Sequence, residues 1–138
     1  MGLFKPAWAS DNDEIAWKAF NKLKSQAKLE RVAYESSRLA MQSEAVKKLT
    51  DQRILVSLAT NKDSCTRGEA IERLTDQTVL NNIAANNNNE YYLRLKAAKR
   101  LTDQVLAQKI FVELVEKNVT SNIRIEATEH LKDQTLAQ

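Results

Sequence analysis

Glycine and proline are nearly missing, with two glycines and one proline in 138 residues. An all-β fold needs many turns, and turns draw on these residues, so the composition argues against one. A single cysteine excludes an internal disulfide framework and a multi-cysteine zinc site. The glycine-dependent phosphate loops and the G-x-S-x-G nucleophile motif are absent. No apolar run approaches the roughly 18 residues of a membrane span. Residues 1–9 carry no apolar stretch of signal-peptide length, and Pro6 stands where a myristoylation signal needs Ser or Thr. A cytoplasmic protein with no membrane partner is expected. What is there is 43% hydrophobic and 28% charged, enough to bury the core of one domain spanning residues 1–138.

The net charge of +3 is unevenly spread. Residues 1–50 hold nine Lys/Arg and six Asp/Glu, whereas residues 101–138 hold four and six. The chain is therefore basic toward its N-terminus. This excess supports only weak, salt-sensitive attraction to polyanions.

An internal repeat organises the whole chain. Leu-Thr-Asp-Gln begins at Leu49, Leu74 and Leu101; Leu131-Lys132-Asp133-Gln134 is a fourth copy and Leu23-Lys24-Ser25-Gln26 a worn fifth. Four residues before each leucine stands an alanine: Ala19, Ala45, Ala70, Ala97 and Ala127. A glutamine follows each leucine by three. The alanine and leucine fall on one helical stripe. The alanine column is small because neighbouring helices are expected to approach closely there. Asp51, Asp76, Asp103 and Asp133 are N-cap residues by type and position, with Ser25 in that role in the first copy. The step before each cap is read as a tight corner, ending one short helix and starting the next.

These features predict an all-α fold: a right-handed α-α solenoid of about five helix pairs. A pair this short cannot bury its apolar stripe alone and must stack on neighbours. The expected divisions are an N-terminal cap at 1–14 and repeats at 15–36, 37–62, 63–89, 90–118 and 119–138. Phe4, Pro6 and Trp8 are the proposed cap, with Ser10 and Asp13 at capping-box spacing. At the other end, a second helix is expected to begin near Gln134. Its shortness would leave Leu106, Ile110 and Leu114 partly uncovered, a hint of self-association through that end.

The pattern apolar-Arg-x-x-Ala-x-x-x-Leu at Leu93–Leu101 and Ile123–Leu131, with its variant at Thr66–Leu74, resembles the second helix of a HEAT unit. Leu80–Asn86 is similar to the first. The chain resembles short HEAT-like, armadillo-type repeats over residues 15–138, and small bacterial HEAT-repeat proteins in particular. That resemblance implies a non-enzymatic scaffold for a protein or peptide partner. It also allows nucleic-acid binding through the basic half, or service as an accessory protein of an enzyme, as in HEAT-like bilin lyases. A period of 25–30 residues is short for HEAT units, so the second helices are full α or partly 3₁₀. The arginine column holds Arg67, Arg94 and Arg124 but is interrupted by Gln42 and Ala16. A cross-repeat arginine ladder is therefore expected only in the last three copies.

The residue before each key leucine is Lys22, Lys48, Arg73, Arg100 or His130. Stacked repeats would make this a basic column facing an acidic peptide or a phosphate backbone. The competing reading places these cations at helix C-termini, where they complement the dipole. Glu44, Glu69 and Glu126 stand four residues before Lys48, Arg73 and His130 and fit ion pairs. Lys18 with Lys22 and Lys96 with Arg100 lack such a carboxylate and are the better binding candidates. Lone His130 and lone Cys65 indicate no metal or catalytic centre, and no cofactor is expected. Of Tyr91 and Tyr92, one ring is expected to pack between repeats.

Overall fold

A computed structural model describes residues 4–117 and 119–136. Among them the chain is all-helical, with no strand. A 3₁₀ turn at Ala7–Ala9 precedes α1 (Asp13–Asn21), α2 (Gln26–Glu35), α3 (Leu39–Lys48), α4 (Gln52–Thr60) and α5 (Arg67–Arg73). Then come α6 (Gln77–Ala85), α7 (Tyr91–Ala98), α8 (Gln104–Glu116) and α9 (Ser121–Leu136). The helices after the corners are full α-helices, which settles the α against 3₁₀ alternative. The chain forms two compact units, Met1–Arg73 and Leu74–Gln138. Residues 1–3 of the expected cap, connector residue 118 and residues 137–138 lie outside the described residues.

The corners form where the sequence places them. Leu49 (φ −76°, ψ 134°) ends α3 in extended backbone, and Asp51 (φ −70°, ψ 111°) is extended before α4. The Asp51 carboxylate accepts from the Arg53 amide, Asp76 from Thr78 and Val79, and Asp103 from Leu106; Ser25 accepts from Lys28. Each cap satisfies amides that a helix start leaves without partners. The fifth copy departs from the pattern. Helix α9 runs unbroken through Leu131, Lys132 and Asp133, so Asp133 caps nothing and no second helix starts at Gln134. Lys132 replaces a β-branched threonine with a better helix former. The worn first copy also has a lysine there, but Ser25 caps α2 at its corner and α2 packs on α3. At the chain start the cap is Asn12, accepting from the Ile15 amide, in place of the expected Ser10–Asp13 box. Ser10 Oγ accepts from Asn12 N, and Asp13 pairs with Arg38 at 2.7 Å.

Packing groups the helices differently from the expected repeats. In the N-terminal unit the 3₁₀ turn packs on α1, α2 on α3 and α4 on α5, with α3 also against α5. In the C-terminal unit α6 packs on α7 and α8 on α9, while α7 touches both α8 and α9. The main hairpins therefore close across the polar connectors; the extended corner at Leu49 and Asp51 turns the chain without packing α3 on α4, while the corner at Leu101 leaves α7 in contact with α8. A connector such as Asn86–Glu90 reverses the chain: Asn86 Oδ1 accepts from Asn88 N, and Asn89 Nδ2 donates to the Ile83 carbonyl.

The repeated apolar columns form the core. Ala45, Ala70, Ala97 and Ala127 are fully buried, as are Leu49 and Leu74, and Leu101 nearly so. Each such leucine stabilises by about 1.5–3 kcal/mol. Ala19, Leu23 and Leu131, in the first and last copies, are only half-buried. Helix α9 covers the residues expected to be exposed: Ile110 and Leu114 are buried, and Leu106 is half-buried. The exposed apolar residues of α8 are Val105 and Val112 instead. Trp8 closes the N-terminal end, and Trp17 meets Phe20 edge to face at 5.6 Å. Phe4, assigned to the same cap, is exposed. Tyr91 and Tyr92 are both exposed, so neither ring is a buried wedge.

Candidate binding surface

The glutamine column has the clearest job. Gln26 Oε1 accepts from Thr50 N (2.8 Å) and Asp51 N (3.0 Å), while its Nε2 donates to the Lys48 carbonyl (3.4 Å). Gln52 Nε2 donates to the Arg73 carbonyl (3.2 Å). Gln77 Nε2 donates to the Arg100 carbonyl (3.2 Å), and its Oε1 accepts from Thr102 N (2.9 Å). One side chain thus serves the backbone of the next corner along the chain. The invariant spacing flagged these residues, but their partners lie 21 to 25 positions away and left no local signal.

The basic column divides. Arg73 donates through Nε (3.1 Å) and an η nitrogen (2.9 Å) to the Leu49 carbonyl, and Arg100 Nε donates to the Leu74 carbonyl (2.8 Å). These two arginines hold corners together and do not form a free charged stripe. Lys48 lies 4.5 Å over the Phe20 ring, a cation–π contact. His130 stacks on Phe111, rings 5.1 Å apart and 9° from parallel. The three glutamates of the expected i, i+4 ion pairs take other partners. Glu44 takes Lys47 (2.9 Å), Glu69 accepts from Ser43 Oγ (3.0 Å), and Glu126 takes Lys99 (3.1 Å). Lys96 is half-buried. Its pairing with Arg100 as an open binding site does not survive, because Arg100 is committed to the backbone. Of the candidates, Lys18 and Lys22 are exposed with no side-chain hydrogen bond, ion pair or ring contact among the described residues. The lysine pair belongs to α1 and its C-cap.

The arginine column inside the hairpins is more continuous than its spelling suggests. Arg67 Nε donates to the Ala59 carbonyl (3.1 Å), Arg94 Nε to Ala84 (2.8 Å), and Arg124 to Lys117 (3.3 Å). Gln42, in the same column, donates to the Ser36 carbonyl (2.7 Å) and fills the arginine's role. The ladder therefore begins in the second copy, one earlier than expected. Arg94 is 2% exposed and also pairs with Glu113 at 2.8 Å.

An apolar groove of about 240 Å³ is lined by Pro6, Trp8, Ala19, Leu23, Lys28 and Arg31, and Lys18 and Lys22 directly precede Ala19 and Leu23 in sequence. The Arg31 guanidinium lies 5.8 Å from the Trp8 ring centre. Lys24 and Lys28 are exposed at the same corner. This corner alone among the first four carries Ser in place of Asp, so no cap carboxylate offsets its lysines. Elsewhere the electrostatic perturbations are surface pairs. Asp51 is held below the usual carboxylate range by its bond to the Arg53 side chain, then by the Arg53 amide, and Asp11 by Lys5. No group of His, Cys, Asp and Glu among the described residues has the makings of a metal site. No described helix is long and apolar enough to cross a membrane. Cys65 is a free, exposed thiol.

No family model, curated protein or solved structure matches the chain.

Proposed function

We propose that this protein is a HEAT-like α-helical repeat scaffold whose N-terminal unit binds an acidic segment of a partner protein. The solenoid reading is supported by the recurrence of the same backbone links, repeat after repeat, within each unit. Gln26 and Gln77 serve equivalent corners, and Arg73 and Arg100 serve equivalent carbonyls. The observation that carries the binding role is the groove beside Trp8. An apolar partner side chain fits against Trp8, Ala19 and Leu23. Carboxylates flanking it meet Lys18, Lys22, Lys24 and Lys28, which have no internal carboxylate. Attraction of that kind steers encounter and selects partners by charge.

Nucleic acid is the competing ligand for the same lysines, and the apolar groove favours a peptide. The test titrates the full chain with a short synthetic peptide of alternating Glu and Leu, and separately with duplex DNA, following tryptophan fluorescence. The expected result is saturable peptide binding that weakens with salt and in the double variant Lys18→Glu, Lys22→Glu. DNA binding without peptide binding would transfer the site to nucleic acid. Binding of neither removes the proposal.

A further inference from the structure

The residue before the key leucine marks a place where the preceding corner receives a guanidinium. Arg73 fills that place at the Leu49 carbonyl, and Arg100 fills it at the Leu74 carbonyl. The next carbonyl in the series is that of Leu101, and the residue due to reach it is His130. Its imidazole is shorter. It lies flat against Phe111 and makes no hydrogen bond among the described residues. Gln104 Nε2 of the same corner donates to the Leu101 carbonyl instead (3.2 Å), leaving the oxygen's second lone pair.

A groove of about 280 Å³ opens at this place, lined by Lys99, Leu101, Gln104, Phe111, His130 and Asp133 among others. Its chemistry differs from that of the N-terminal groove. Asp133 is exposed, caps no helix and has no partner among the described residues. Lys99, the cation on the rim, is engaged by Glu126 at 3.1 Å. The groove thus combines a carboxylate, a backbone carbonyl and a stacked aromatic pair. A guanidinium matches all three: it donates in a planar fork to oxygen acceptors and stacks on aromatic faces. An ammonium matches the charge but neither the fork nor the stacking.

We propose that this groove binds an arginine side chain presented by a partner protein, which takes the place that Arg73 and Arg100 take internally. The site lies wholly in the C-terminal unit and does not depend on the acidic-segment reading. The cap-less aspartate and the short histidine, which look like decay of the repeat, become its recognition elements.

The test is a titration of the full, isotope-labelled chain with N-acetylarginine amide, and separately with N-acetyllysine amide, followed by amide and side-chain NMR shifts. Saturable shifts at Leu101, Gln104 and His130 are expected with the arginine probe and at least several-fold weaker binding with the lysine probe. Asp133→Asn should weaken arginine binding about tenfold. His130→Arg supplies an internal guanidinium and should abolish it, with a rise in thermal midpoint. Equal response to both probes would overturn the proposal, as would unchanged affinity in Asp133→Asn. Retained binding in a folded His130→Arg chain would also overturn it.

Discussion

Replacing Gln26 by methionine isolates the corner staple. Methionine keeps the length of the side chain and has nearly the same helix propensity, so packing and helix formation are held constant. The substitution removes an acceptor serving two amides, Thr50 N at 2.8 Å and Asp51 N at 3.0 Å, and a longer donor bond to the Lys48 carbonyl. A hydrogen bond contributes about 0.5–1.5 kcal/mol net. Thr50 is exposed, so water replaces part of what is lost there. The expected cost is about 1–2 kcal/mol. With a urea slope of about 1–3 kcal/mol/M, the midpoint should fall by roughly 0.3–2 M. Tryptophan fluorescence reports on the N-terminal unit, which holds both tryptophans, and far-ultraviolet circular dichroism reports on all the helices. Gln108→Met, at an exposed position of α8, is the control and should change stability by less than about 0.5 kcal/mol. If Gln26→Met unfolds at the parent midpoint, or loses no more than the control, the glutamine column does not hold the corners.

Three further outcomes follow from the packing and the charges. Ala70→Leu should lose about 1–3 kcal/mol by overpacking a fully buried site where α3 meets α5, read by urea denaturation; parental stability would refute the close approach. Glu113→Ala strands the buried Arg94 guanidinium and should cost about 3 kcal/mol. Arg94→Met leaves behind only a partly hydrated carboxylate and should cost less, so the reverse order of thermal midpoints would contradict the pairing. Because folding lowers the Asp51 pKa, its contribution to stability is complete above the ordinary aspartate value and is lost as pH falls through the lower folded value. Acid titration followed by NMR should place the Asp51 carboxyl below that of an unstructured aspartate, and Arg53→Met should raise it.

Much of the fold is legible because the determinants are local and repeated. Periodic leucines and alanines define buried stripes, and Asp or Ser after the corner is a cap wherever a packed helix follows. Asp133 shows the limit of that rule, since the same residue in the same register lies inside a continuous α9. The pairing of helices was not legible. The corner looks like a hairpin turn in sequence, but the extended one at Leu49–Asp51 does not pack α3 on α4, whereas the one at Leu101 lets α7 touch α8. The basic column misled for a related reason: a cation in the last turn of a helix satisfies a dipole argument whatever it touches. Only the partner's position distinguishes Arg73 and Arg100, bonded to the preceding corner, from Lys18 and Lys22, which face solvent. The Trp8 groove joins residues of the 3₁₀ turn, α1 and α2, so no single motif announced it.

Amide hydrogen exchange at the corners tests the central claim most directly. Thr50, Asp51 and Thr102 lie outside the helices, so nothing in a helical ladder protects their amides. If glutamine side chains tie successive corners together, these three amides exchange slowly in the parent. Gln26→Met then releases Thr50 and Asp51 while leaving Thr102 slow. Exchange of all three at unstructured-chain rates in the parent protein would contradict the account.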